Sequence, residues 1–456
     1  MLAAMPVMAA YTGHVYVDKN KNGVFDQSEK PLAGIKVSDG LNVVETAADG
    51  SFTLPGHERE RFIFITTPSG YKTFNRHYHK IEKKQSGYDF GLIPYSGRIR
   101  KDGSHRYIHI TDTEIFNTEN HADWVNNVRD YARNEQAAFI IHTGDICYEK
   151  GLKAHIKLMN TENMDCPVFY CIGNHDLVKG KYGEELFESI YGPVYYSFDA
   201  GNVHYVVTPM SGGDHAPGYT SDDVCRWLKN DLAHIRPGTP VVVFNHDLLT
   251  YEDTFIFKSK NAGSINLNEY NLKAWVYGHW HINYMKKQGD VYSVCTSSLD
   301  KGGIDHSTTA FRVMHVDSKG DFTSELRYTY LDKNICIASP AGVMASGVLP
   351  VAVNVYSSVS PVREVLYTCL ADGKPVLKNK RLLQSTDWSW NGELPLSHKY
   401  VGKELTLRVT ARFNNGEIAE AESNFICRTE KAVPLFSADW DNPVSYTHLT
   451  LPTSDL

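Results

Sequence analysis

The chain has 456 residues, more than one hydrophobic core usually organises, so two or three domains are expected. With 42% hydrophobic residues, 22% charged residues and a net charge of −7, it has the composition of a folded protein and no excess of positive charge for holding a polyanion. No apolar run reaches the roughly 20 residues that span a bilayer as a helix, and the eight cysteines show neither the paired spacing of a zinc ribbon nor that of a disulfide framework.

The start, Met1 to Ala10, is apolar and ends in small residues without a basic segment before it. This is read as a clipped export signal, which places the protein in the periplasm or elsewhere outside the cytoplasm. Residues 11–95 read as an all-β sandwich, with short strands such as Ser51-Phe52-Thr53-Leu54 and Phe62-Ile63-Phe64-Ile65 broken by Gly, Pro and Asp turns. Within it, Asp18, Asn20, Asn22, Val24, Asp26 and Glu29 fall at positions 1, 3, 5, 7, 9 and 12 of a calcium-loop register, with Gly23 at position 6. The loop is a candidate calcium site; an Asn/Gly-rich hairpin without metal is the other reading.

From residue 104 to 335 apolar strands alternate with amphipathic helices, the mark of a layered α/β domain. Strands are expected at Tyr107 to Thr111, Ala138 to His142, Val168 to Ile172, Val203 to Thr208, Val241 to Asn245 and Lys273 to Tyr277. Helices are expected at Ala122 to Glu135, Lys153 to Asn160 and Asp222 to Ile235. Residues 338–442 return to alternating strands and predict a second all-β sandwich. Residues 443–456 fit neither pattern and resemble a translated sequencing adaptor, so the second sandwich is expected to be cut short near Asn442; a genuine tail is the alternative.

Five segments that each follow an apolar strand carry metal-ligand side chains: Asp112-Thr113-Glu114, Gly144-Asp145, Gly173-Asn174-His175-Asp176, Asn245-His246 and Gly278-His279-Trp280-His281. One such residue after a strand is usually a cap or a turn. Five in series converge on one sheet edge, where open α/β folds place their sites. Hydrolysis of a phosphate ester needs positive charge to screen the phosphoryl oxygens and to activate a water, and two metals about 3.5–4 Å apart supply both. Asp145 is the natural bridge, because a carboxylate can offer an oxygen to each ion.

These blocks resemble the calcineurin-like metallophosphoesterases, whose motifs run Asp-x-His, Gly-Asp-x-x-Asp, Gly-Asn-His-Asp/Glu, a lone His and Gly-His-x-His. The likeness covers residues 106–330, and the flanks look like the N- and C-terminal domains of bacterial multidomain relatives. It implies a layered β-sandwich flanked by helices and two divalent ions (Mn, Fe, Zn or Mg). It also implies in-line attack by a metal-bridging hydroxide. Asp112 and His281 would complete the first metal site, and Asn174, His246 and His279 the second. His175 would face the leaving oxygen, with Asp176 either orienting its imidazole or capping the turn.

Two positions depart from the pattern. Glu114 stands where the family has His, which shifts preference toward harder ions. Tyr148 stands where most of the family has an acidic or amide residue, as in the purple acid phosphatases, in which a Tyr binds Fe(III); the simpler reading is that Tyr148 lines the pocket. Lys301 and His215 are candidate substrate contacts. The expected substrate is a small or cell-envelope phosphate ester, mono- or diester, and nucleic acid is disfavoured for want of a basic stripe. The competing class is a surface-binding protein with a degenerate core, which only Glu114 favours.

Overall fold

The computed structural model describes residues 10–428, apart from residues 331–332, 346, 358 and 386–387. The readings of the first nine residues as an export signal and of residues 443–456 as an adaptor lie outside the described residues. The chain divides into two compact units, one holding residues 1–333 and 357–361, the other residues 334–356 and 362–456.

The first unit opens with two small sheets. One joins Lys30–Pro31, Tyr11–Val17, Phe90–Pro94 and Tyr71–Thr73 in that order, with Ser51–Leu54 also paired to Tyr11–Val17. The other runs Val43–Glu45, Lys36–Ser38, Phe62–Ile65, Tyr78–Lys80. All four residues of Phe62–Ile65 are buried because both faces of the strand are covered. Ile63 and Ile65 enter the sandwich core with Val15, Phe52 and Phe90, while Phe62 and Phe64 join the core of the central domain, where Phe64 meets Trp227.

The central domain is a pair of stacked sheets with helices outside. In the first sheet, Val168–Tyr170, Phe139–His142 and His105–Ile110 run parallel, and Ala310–Val316 and Phe322–Tyr328 follow antiparallel. The second runs Tyr196–Ala200, Val203–Val207, Val241–Phe244, Leu272–Tyr277, Val291–Cys295, Tyr284–Gln288, and its four middle strands are parallel. Alternation along His105–Ile110 sets the layers: Tyr107 faces the second sheet, its ring 5.7 Å from Tyr205, while Ile108 and Ile110 pack under Trp124 and Val128 of the helix Ala122–Asn134. Burial on both faces explains the near-continuous apolar runs of these strands. The helix expected to begin at Lys153 begins at Tyr148, so Tyr148 stands at its N-terminal end. Strands Ala310–Val316 and Phe322–Tyr328, not among the expected elements, complete the first sheet.

The second unit is a β-sandwich with its own core, built on Val351, Val353, Val365, Tyr367, Trp390, Leu407 and Val409. No disulfide links the eight cysteines, of which only Cys336 is exposed.

One buried charge network ties three elements of the central core. His204 is fully buried, with Nδ1 2.7 Å from Asp199 and Nε2 2.8 Å from Asp231, which also accepts from the Ser197 hydroxyl; Lys36 lies 3.7 Å from Asp199. Burial opposes the charged imidazole, but Asp231 and Asp199 outweigh it and raise its pKa above the usual histidine value. A raised folded-state pKa contributes stability that is complete below the unfolded value and is lost as pH rises through the folded one. His204→Gln is therefore expected to cost about 3–5 kcal/mol near pH 6. The gap to the parent protein should narrow by pH 9 in urea titrations; a gap that does not change between these pH values would contradict the charged network.

Candidate metal centre

The segments singled out in the sequence meet at the carboxyl ends of the parallel strands. Asp145 Oδ2 lies 3.1 Å from His246 Nε2, which is also 3.2 Å from the Asn174 amide oxygen and 4.0 Å from Asp112 Oδ1. Ligand atoms of Asp145, His246 and His279 all fall within 4.8 Å of one another. On the other flank His281 Nε2 is 3.2 Å from Asp112 Oδ1 and 3.6 Å from Glu114 Oε1. All seven residues expected to hold metal thus come together, and Glu114 keeps one oxygen toward the cluster while the other is paired with Lys301.

The surrounding backbone fixes these side chains. His246 Nδ1 is 2.7 Å from the Thr143 carbonyl, which can only accept, so Nδ1 carries the proton and Nε2 is directed inward. Asp112 Oδ2 accepts from the Thr111 hydroxyl and the His279 N–H, whereas its buried Oδ1 accepts no well-aligned hydrogen bond and has the His281 and His246 Nε2 atoms 3.2 and 4.0 Å away. Asp112, Glu114, Asp145, His279 and His281 all have left-handed φ, between 44° and 62°. Such conformations cost about 1–3 kcal/mol each and collect at functional sites. Gly144 has φ 103°, and a Cβ on Gly278 would stand 1.9 Å from Thr111 Oγ1 and 2.5 Å from Asp112 Oδ2.

The donor set fits divalent cations. Carboxylate, amide and imidazole groups are their usual ligands. Burial opposes charge on His246, yet Asp145 and Asp112 push its pKa up to about 10. The carboxylates therefore favour positive charge at this position.

Asp176 does not orient His175. Its carboxylate is fully buried and accepts from the Cys147 and Gly173 N–H groups at 2.8 and 2.9 Å, so it clamps the Asp145 loop to the Asn174 loop. Burial first, and the Asp145 charge second, push its pKa up to about 7. The carboxylate that faces His175 is Asp214, 2.9 Å from Nδ1. Burial opposes the charged ring of His175, but the Asp214 hydrogen bond and Asp145 raise its pKa. Asp214 reaches this position because its own N–H is bonded to the Asn174 carbonyl. No motif flagged it, since it arrives from a loop 39 residues away.

Tyr148 lies over His175, ring centroids 5.4 Å apart, and stacks on Phe116. Trp280 packs between Tyr277 and Tyr251 and donates to Asp247. Lys301 meets Glu114 instead of open space, and His215 is exposed beside Asp214. In the calcium-register loop, Asp18 accepts from the Asn22 and Gly23 N–H groups, but both Glu29 oxygens are taken by the Lys19 and Asp26 N–H groups, so position 12 is engaged within the loop itself. A cavity of about 330 Å³ lined by Tyr71, Tyr95, Phe169 and Tyr196 lies at the edge strand Val168–Tyr170 and contains none of the cluster residues.

Gly278→Ala is expected to lower metal content by more than about tenfold and stability by about 1–3 kcal/mol. Gly212→Ala, with nothing within 4 Å of the added carbon, is the control. Metal analysis and calorimetry on both variants check this, and equal metal content in the two would contradict the close-approach argument.

Residues 105–283 match the family model described as calcineurin-like phosphoesterase, and residues 19–94 match that of its N-terminal domain. The curated relative purple acid phosphatase 13 of Arabidopsis thaliana is 26% identical over 215 residues, 44% of this chain and 36% of that protein. The chain therefore spans about a third of that relative's length. Among solved structures, a purple acid phosphatase from yellow lupin (Lupinus luteus) aligns over 87% of this chain and 70% of its own, at 12% identity and a TM-score of 0.30. An archaeal phosphodiesterase aligns over 48% of this chain and 99% of its own, at 13% identity and a TM-score of 0.25. Through residues 105–283, with the companion domain at 19–94, the chain belongs to the calcineurin-like phosphoesterases.

Proposed function

We propose that the protein is a phosphoesterase that hydrolyses a phosphomonoester or phosphodiester at a centre holding two divalent ions. The observation that carries this reading is the convergence of Asp112, Asp145, Asn174, His246, His279 and His281, whose oxygen and imidazole nitrogen atoms face one another at 3.1 to 4.8 Å. Asp112, Glu114 and His281 form one flank of the ligand set and Asn174, His246 and His279 the other, with Asp145 between them. Bound there, the ions screen the phosphoryl oxygens and lower the pKa of a water. Mn, Fe, Zn and Mg all suit this donor set, and Glu114 favours the harder of them.

The remaining chemistry belongs to His175 and Asp214. With Nδ1 facing Asp214, the proton that moves is the one on Nε2, which His175 passes to the leaving alcohol oxygen. Asp214 fixes the ring and favours the charged form that donates. Assistance of this kind is worth about 10²–10⁴-fold. Asp176 holds the loops on which Asp145 and Asn174 sit, so its effect is on geometry.

The purple acid phosphatase-like variant, with Tyr148 as an iron ligand, ranks second. Its support is the curated relative together with a Tyr three residues after Asp145. Against it, the Tyr148 ring stacks on Phe116 and lies tilted 42° to His175. A visible charge-transfer band in iron-loaded protein that disappears in Tyr148→Phe would move it to first place.

Metal-stripped protein resupplied singly with Mn, Zn, Mg or Fe is expected to cleave p-nitrophenyl phosphate or bis-p-nitrophenyl phosphate, and Asp145→Asn to remove that activity. Folded, metal-loaded protein that cleaves neither ester would favour the surface-binding alternative. Asp214→Asn is expected to slow esters of poorly acidic alcohols by about 10²-fold or more and p-nitrophenyl esters much less, since only the former need a proton on the leaving oxygen. Equal slowing of both would remove Asp214 from that role.

A further inference from the structure

Resting on this reading of the site, the surface around it narrows the substrate. Seven large hydrophobic side chains of residues 104–330 are exposed, and five of them, Phe116, Tyr148, Tyr251, Tyr284 and Ile304, join the metal-bearing loops directly. Tyr251 and Tyr284 lie 5.8 and 6.3 Å from Trp280, which sits between His279 and His281. The Ile304 N–H bonds to the His281 carbonyl. Scattered exposed hydrophobics need no explanation, whereas grouped rings beside a polar centre, here Phe116 with Tyr148 and Tyr251 and Tyr284 with Trp280, mark a binding surface.

Its geometry is directional. From His175 two rings run outward: Tyr148 at 5.4 Å and tilted 42° to the imidazole, then Phe116 at 6.1 Å from Tyr148 with the planes only 16° apart. Phe116 is 52% exposed and Tyr148 39%, so both present surface to a ligand. The Lys301 ammonium stands 5.9 Å from the Phe116 centroid, next to Glu114. His175 is the residue at the leaving oxygen, so whatever extends from that oxygen passes along Tyr148 and Phe116. Flat, near-parallel rings suit stacking with another ring, while an acyl chain would be better served by aliphatic walls.

We propose that the alcohol released by this centre carries a planar ring, an aryl group or a nucleobase, which stacks on Tyr148 and Phe116. The phosphate is then cut between phosphorus and the ring-bearing oxygen; water supplies the oxygen retained by phosphorus, and the proton from His175 goes to the alcohol.

The test compares 2-naphthylmethyl, ethyl and octyl phosphates, which release primary alcohols of similar acidity. The metal-loaded protein is expected to favour the naphthylmethyl ester over the ethyl ester by roughly tenfold or more in kcat/KM, mainly through KM. That ratio should fall toward one in Phe116→Leu and Tyr148→Leu, which keep bulk and apolarity but lose the ring. A ratio near one in the parent protein, a ratio that survives both substitutions, or octyl phosphate favoured equally would overturn the proposal. If none of the esters turns over, the hydrolytic reading fails on its own account and binding decides this one. Calorimetry should then show 2-naphthylmethylphosphonate binding roughly tenfold more tightly than ethylphosphonate in the parent and not in the leucine variants. Equal affinities would overturn it.

Discussion

Negative charge brought together at one sheet edge needs a cation, and much of the central domain is arranged around that requirement. Asp112, Glu114 and Asp145 converge there, one Lys301 ammonium neutralises part of Glu114, and a histidine is pulled toward its charged form by the rest. Carboxylates in a buried cluster repel one another strongly unless a cation or a proton intervenes. Divalent ions meet the need with the ligand types already present. The fold, with parallel strands of two sheets ending at a common edge, is what allows residues over 160 positions apart in sequence, such as Asp112 and His281, to share it.

Holding the cluster open demands rigidity elsewhere. Left-handed backbone at five of the seven ligand positions persists because the loops are bound from behind. Asp176 ties the Asp145 loop to the Asn174 loop, Thr143 directs His246, and Thr111 with the His279 N–H fixes Asp112. The two aromatic layers between the sheets, from Tyr107 and Phe139 to Tyr205 and Phe244, give those loops a stiff base. Strain at the site and dense packing beneath it are therefore one design: the first is stable only because of the second.

Much of this was legible in the sequence because metal chemistry restricts residue types. Five short blocks, each after an apolar strand, named the residues that converge at this edge, and the alternation of strands and helices named the layered domain. The reading went astray where function depends on spatial neighbours. Asp176 takes the second of its two expected roles, capping the turn through the Gly173 N–H, whereas Asp214, with no motif around it, meets the imidazole. The same limit hid the ring pair: Phe116 and Tyr148 are 32 residues apart and become a surface only when the loop after His105–Ile110 meets the start of the helix Tyr148–Leu158. The two antiparallel strands after residue 309 also escaped notice, since no ligand marks them and their polar-apolar alternation is weak.

The central claim is that this edge holds two ions, shared through Asp145. Anomalous scattering from crystals of the protein soaked in Mn tests it directly. The account expects two peaks about 3.5–4 Å apart, one against Asp112 and His281, the other against Asn174, His246 and His279, with Asp145 touching both. A single peak, or none within reach of Asp145, would contradict it.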